Sequence, residues 1–273
     1  MSTGLLDKIE HAWLPKTTCD ERCVGGGYVQ SPARVAIRSV RRIVTVVLVL
    51  LALPLLTVPI PGRTGIQRSY CRLVLRSLGV RIRLSGNPIR NVPGVLVVSN
   101  HTSWVDVFAI GAVIPGSFVA RADLVDWPAI GPAVRMMGVI PIERRSLRKL
   151  PPVVEAVTAR LLQGRTVVAF PEGTTFCGRH NGRFRPAVFQ AAIDSGRPVQ
   201  PVCLTYRHVD GRPSTVTAFL GADSLWASIR RTVAASVTVV DLAVGSLELP
   251  GANRRELAAR CQAALCVEAA SVS

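Results

Sequence analysis

"VLVVSNHTSWVD", residues 95–106, decides how the chain is to be read. Its first four residues are a short run rich in β-branched valine, the signature of a buried strand. The run ends in Asn100 and His101, and Asp106 follows five positions after the histidine. A histidine buried for packing needs no carboxylate close by, whereas a general base does. Side chains five apart do not align on a regular helix, where neighbours are three or four apart. The pair meets only if His101 stands in the turn between a strand end and the helix that follows.

Outward from this stretch, strand and helix patterns alternate from Val80 to the C-terminus. Strands are expected near 80–85, 94–99, 117–121, 139–143, 166–170, 199–206, 214–220 and 236–244. Helices are expected near 105–114, 128–137, 149–163, 186–195, 224–234 and 253–268. Short apolar strands separated by helices predict an α/β domain over 80–273 with a largely parallel sheet covered by helices. No internal repeat is visible. In such sheets ligands gather beyond the carboxyl ends of the strands. Two further strands end in polar groups: "GVIPIERR" closes in Arg144 and Arg145, and "TVVAFPEGTT" runs into Glu172, Gly173, Thr174 and Thr175. Three polar strand ends on one sheet edge point to a single site.

The base half of a triad is present, but no G-x-S-x-G elbow accompanies it, nor any cysteine in a nucleophile's setting. The hydroxyl to be activated therefore belongs to a substrate. Arg144, with Arg145 beside it, suits a phosphate. Gly173 lets backbone N–H groups approach an anion, and Thr174 and Thr175 add hydroxyl donors.

The chain has 273 residues and a formal net charge of +16, with 30 arginines against 3 lysines. Such an excess favours an acidic partner: nucleic acid, an anionic membrane surface or a phosphorylated substrate. With aromatics at 5% and no nucleic-acid motif, stacking on bases is not expected and nucleic acid is set aside. Cysteines at 19, 23, 71, 177, 203, 261 and 266 form no disulfide framework. "CDERC" has no second pair, and Cys177 with His180 is half a metal site without a partner, so no metal is expected.

Residues 43–62 carry no charge, long enough to cross a bilayer core, but prolines at 54, 59 and 61 interrupt them and arginines flank both sides. A segment that dips into one leaflet and a kinked single span both fit. A signal peptide does not, because residues 1–42 precede the run and no small-x-small cleavage site follows. Arg68, Arg72 and Arg76 recur on one helical stripe, where basic groups near an anionic leaflet each contribute about 1 kcal/mol. The chain thus divides into a loosely ordered extension, 1–42, a membrane-anchoring helical hairpin, 43–79, and the α/β domain.

The motifs "NHTSWVD" (100–106), "GVIPIER" (138–144), "FPEGT" (170–174) and "VQPV" (199–202) resemble, in order and spacing, those of the 1-acyl-glycerol-3-phosphate acyltransferases of the glycerolipid acyltransferase family. The resemblance covers about half of the chain. It implies that His101 deprotonates the free hydroxyl of a lysophospholipid, that Asp106 orients His101, and that the oxygen attacks the thioester of acyl-CoA or acyl carrier protein. It further implies that Arg144 binds the phosphate beside Glu172, Gly173 and Thr174, and that Pro201 lines the acyl side. No cofactor is implied, and the enzyme is expected at the cytoplasmic face of the cell membrane among phospholipids. Thr175 stands where the family often has arginine or serine, and Arg121 where lysine is common. Lyso-ornithine lipid and glycerol 3-phosphate are other acceptors used in the family.

Overall fold

A computed structural model of the chain describes residues 14–25, 31–51, 63–89, 92–126, 138–143, 146–221 and 223–271. Two helices come first, α1 (Pro32–Leu51) and α2 (Arg63–Leu78), and they pack against each other. Then follow β1 (Val80–Gly86), β2 (Leu96–Ser99), α3 (Val105–Gly111), β3 (Ser117–Arg121) and β4 (Ile140–Ile142). The chain continues through α4 (Leu150–Leu162), β5 (Val167–Ala169), α5 (Phe189–Ser195), β6 (Val199–His208), α6 (Leu225–Ala234), β7 (Thr238–Val244) and α7 (Arg254–Ser271). The expected helix near 128–137 lies outside the described residues.

The strands form one sheet in the order β1-β7-β6-β2-β5-β3-β4. All neighbours are parallel except β6 and β7. β2 is a central strand between β6 and β5, buried on both faces, which explains why its sequence is an unbroken apolar run. Its side chains alternate between two cores. Val97 joins Leu75, Ile110 and Leu242 on one face, whereas Leu96 and Val98 join Leu161, Phe189 and Leu257 on the other. Each such side chain, fully buried, contributes roughly 1.5–3 kcal/mol. A one-residue slip of β2 would exchange the two sets.

One expected strand is absent. Residues 214–220 do not pair in the sheet; beyond a bridge between Arg207 and Pro213 the chain leaves β6. It crosses the carboxyl end of β2 instead, where Phe219 N–H donates to the Thr102 carbonyl (3.0 Å). The apolar alternation that suggested a strand serves a different burial: Ala218 and Leu220 pack on Phe176, Cys177 and Cys19.

The amino-terminal region is part of the body of the protein where it is described. Helix α1 begins at Pro32, ahead of the uncharged run, and Cys19 is buried. Arg42 is buried in α1 and reaches the end of α6, donating to the carbonyls of Val233 (3.0 Å), Ala235 (2.6 Å) and Ser236 (2.5 Å). A cation there satisfies the last open carbonyls of the helix and meets the negative end of its dipole. Arg38 donates in the same way to Ala234. Gly79 (φ 75°) closes against this guanidinium, and a Cβ at that position would overlap it.

Candidate active site

β2 delivers Asn100 and His101 to the carboxyl edge of the sheet. Asn100 is buried and continues the strand with its side chain. Its Nδ2 donates to Leu204 O (2.9 Å) and its Oδ1 accepts from Leu204 N–H (2.8 Å), so the amide stands in for one more ladder position on β6. The chain then turns through His101, Thr102 and Ser103 before α3 opens at Val105.

Asp106, fully buried in the first turn of α3, gathers that turn onto itself. Its Oδ2 accepts from the backbone N–H of Thr102 (2.7 Å) and Ser103 (2.9 Å) and from His101 Nδ1 (2.8 Å). Its Oδ1 accepts from the Tyr206 hydroxyl (2.5 Å). A carboxylate only accepts, so Nδ1 carries the hydrogen and Nε2 the lone pair. The histidine and aspartate named from the sequence thus meet in the turn, as the strand-to-turn reading requires. Burial first, and then the charge of Asp106, push the Tyr206 phenol well above its ordinary value, so it stays a donor. The imidazole stacks on Phe170 with ring centroids 4.0 Å apart. Among the described residues Nε2 has no hydrogen-bond partner, and the side chain is 15% exposed.

Glu172 holds the histidine from the other side. Its Oε2 accepts from His101 N–H (2.7 Å) and its Oε1 from Gly182 N–H (2.7 Å), which places both oxygens on backbone. Burial pushes this carboxyl up to about 7, although the two N–H groups pull it down. Gly173 turns the chain with φ 76°, and a Cβ there would come within 2.7 Å of Pro15 Cγ. Thr174 is partly buried, and Thr175 donates its hydroxyl to the Phe219 carbonyl. Beside Phe170, Pro171 and Gly173 opens a mostly apolar cavity of about 300 Å³, also lined by Val119, Ile142 and Val153. Pro201 lies elsewhere: it is buried in β6, paired with Val98, and does not line this cavity. The reason is its place third in the ten-residue β6, toward the amino end of that strand rather than at its carboxyl end. Arg121, at the end of β3, is ion-paired with Asp123 (2.5 Å). Arg144 and Arg145 lie outside the described residues.

Sequence reasoning missed Tyr206. A signal existed, because Val202, Leu204 and Tyr206 alternate onto the same buried face, and a buried phenol needs a polar partner. That partner is a hundred positions away, and nothing local names it.

An imidazole with a free Nε2, oriented by a buried carboxylate at a sheet edge beside an apolar cavity, is equipped to take a proton from a hydroxyl bound there. Residues 81–205 match the Acyltransferase family. A lyso-ornithine lipid O-acyltransferase of Pseudomonas aeruginosa is 30% identical over 206 residues, covering 75% of this chain and 78% of that protein. The chain belongs to the Acyltransferase family. It is also similar to the 1-acyl-sn-glycerol-3-phosphate acyltransferase of Neisseria meningitidis, 39% identical over 142 residues, 52% of this chain and 55% of that one. The match thus spans about half the length of that relative. In fold it resembles the 1-acyl-sn-glycerophosphate acyltransferase PlsC of Thermotoga maritima, with a TM-score of 0.61, 16% identity, and coverage of 88% of this chain and 96% of that one.

Proposed function

We propose that this chain transfers a fatty acyl group from a thioester to the free hydroxyl of 1-acyl-glycerol-3-phosphate, giving phosphatidate. The observation that carries the reading is the 2.8 Å contact between His101 Nδ1 and Asp106, which leaves Nε2 as the proton acceptor. The substrate hydroxyl gives its proton to Nε2 as its oxygen attacks the thioester carbonyl. Collapse of the tetrahedral intermediate expels the thiolate, which takes that proton from the imidazolium. Asp106 stabilises the imidazolium between the two steps. The donor is acyl-CoA or acyl carrier protein, with no resident cofactor. Arg144 binds the phosphate, assisted by Arg145. The apolar cavity beside Phe170 takes acyl chain.

Membrane attachment belongs to the same proposal. Among the described residues no helix is long and apolar enough to cross a membrane. Helix α1 nevertheless exposes Ile37, Val40, Val44, Val47, Leu48 and Leu51 along one stripe, the pattern of a helix lying in an interface. A monotopic seat at the cytoplasmic face suits that stripe and brings the site to its lysolipid.

A second acceptor has its own support: the P. aeruginosa lyso-ornithine lipid O-acyltransferase aligns over more of both chains than the N. meningitidis relative does. Thioester consumption by the purified chain, against a panel of lysophosphatidate, lyso-ornithine lipid and glycerol 3-phosphate, separates the two. Lysophosphatidate as the preferred acceptor, with transfer abolished in His101→Ala and KM for that acceptor raised in Arg144→Ala, is the expected result. Preference for lyso-ornithine lipid replaces the acceptor; full turnover in His101→Ala removes the mechanism.

A further inference from the structure

Two fragments that are incomplete in the sequence meet in the fold. Cys19 and Cys23 stand in C-x3-C spacing, with Cys23 ending a single 3-10 turn (Glu21–Cys23), and Cys177 and His180 stand in C-x2-H spacing just beyond "FPEGT". The Sγ atoms of Cys19, Cys23 and Cys177 all lie within 4.8 Å of one another. Cys177 is 1% exposed and Cys19 5% exposed. Apolar contact with Phe176, Ala218 and Leu220 accounts for their burial, but not for three sulfur atoms converging on one point from segments far apart in sequence.

We propose that Cys19, Cys23 and Cys177 bind a zinc ion, with His180 as the fourth ligand. A tetrahedral zinc with Zn–S bonds of about 2.3 Å sets its sulfurs about 3.8 Å apart, so the three thiols need to close by at most about an ångström. Soft thiolates with one imidazole, filling all four positions, define a structural zinc site rather than a catalytic one. His180 is exposed, two residues past the left-handed turn at Gly178 (φ 85°), and stands outside the three-sulfur group, so its ring has to turn inward to complete the site. On ligation each of the three cysteines releases its thiol proton, so binding weakens in acid.

The ion ties the catalytic edge to the amino-terminal segment. Phe176 N–H, next to Cys177, donates to the His101 carbonyl (2.8 Å), and Gly25 N–H, just past Cys23, donates to Thr215 Oγ1 (2.7 Å). Pro15 of the same segment covers Gly173. The zinc therefore fixes the cover that residues 14–25 form over the "FPEGT" turn.

The test is elemental analysis of the full chain, purified in detergent without chelator, together with colorimetric zinc release on thiol modification. About one zinc per chain is expected, falling at least tenfold in Cys19→Ser and Cys177→Ser and staying unchanged in Cys261→Ala, whose thiol is buried elsewhere. His180→Ala is expected to lose zinc to EDTA at least tenfold faster. Chelation of the wild-type chain should open residues 14–25 to limited proteolysis while circular dichroism is retained, a readout that does not depend on any variant folding. Metal-free wild-type protein with free thiols, or a disulfide among the three cysteines found by mass spectrometry, overturns the proposal. Unchanged EDTA resistance in His180→Ala overturns the histidine's part in it.

Discussion

Replacing Asp106 by asparagine separates the charge of this side chain from its shape. The four hydrogen bonds it accepts fix how the amide sits: Oδ2 faces the N–H groups of Thr102 and Ser103 and His101 Nδ1, whereas Oδ1 faces only the Tyr206 hydroxyl. The carbonyl of the new amide stays with the three donors, and its NH2 turns to Tyr206, whose hydroxyl rotates to accept. The imidazole thus keeps its tautomer and place, and what disappears is the negative charge opposite the imidazolium formed during transfer. Two unit charges about 4 Å apart at an effective dielectric constant near 20 attract by about 4 kcal/mol. Lost from the transition state, that corresponds to roughly a thousandfold in kcat. The assay is steady-state transfer of a radiolabelled acyl group from its thioester to lysophosphatidate in mixed micelles, alongside thermal unfolding. The expected result is the drop in kcat with KM for the acceptor unchanged and the unfolding transition preserved. A variant folded like wild type whose kcat falls by less than tenfold would refute the reasoning.

Three other outcomes are expected. Glu172 is held up to about 7 by burial, above its ordinary 4.5, so its contribution to stability is complete below pH 4.5 and is lost as pH rises to about 7; the loss is up to about 3 kcal/mol. Unfolding midpoints measured across that range should show this slope for wild type relative to Glu172→Gln, and parallel curves would contradict it. Gly173→Ala, with φ at 76° and Pro15 Cγ 2.7 Å from the added Cβ, should cost about 1–3 kcal/mol and lower the melting temperature; an unchanged melting temperature would count against the strain. Arg42→Ala strips its donors from the end of α6 and should cost about 3 kcal/mol in urea unfolding, and a loss below 0.5 kcal/mol would show that solvent replaces the cap.

What the sequence made legible here is what folds locally. His101 and Asp106 are five positions apart and joined by a turn that the strand end imposes, so their contact follows from that spacing together with the strand end. The layered α/β order was equally open to reading, because a strand buried on both faces must be apolar throughout, as β2 is. The rest depends on partners distant along the chain. Asn100 has no visible partner until Leu204 is beside it, and Glu172 reads as a ligand-facing carboxylate until both its oxygens are claimed by His101 and Gly182. The stretch 214–220 has a strand's apolar spacing, but it is buried almost throughout, with Ala218 and Leu220 against the cysteine-lined cluster rather than in the sheet. The three thiols are invisible as a group for the same reason: neither short motif predicts the other's position.

The arginine that reaches from α1 to α6 has a practical corollary. Removing α1, with its exposed apolar stripe, also removes the plug from the end of α6, uncovering the carbonyls of Val233, Ala235 and Ser236. Shortened versions intended for crystallisation must therefore start upstream of Arg38, and solubility has to be sought by recolouring the outward stripe, Ile37 to Leu51, with polar residues while both guanidinium anchors are kept.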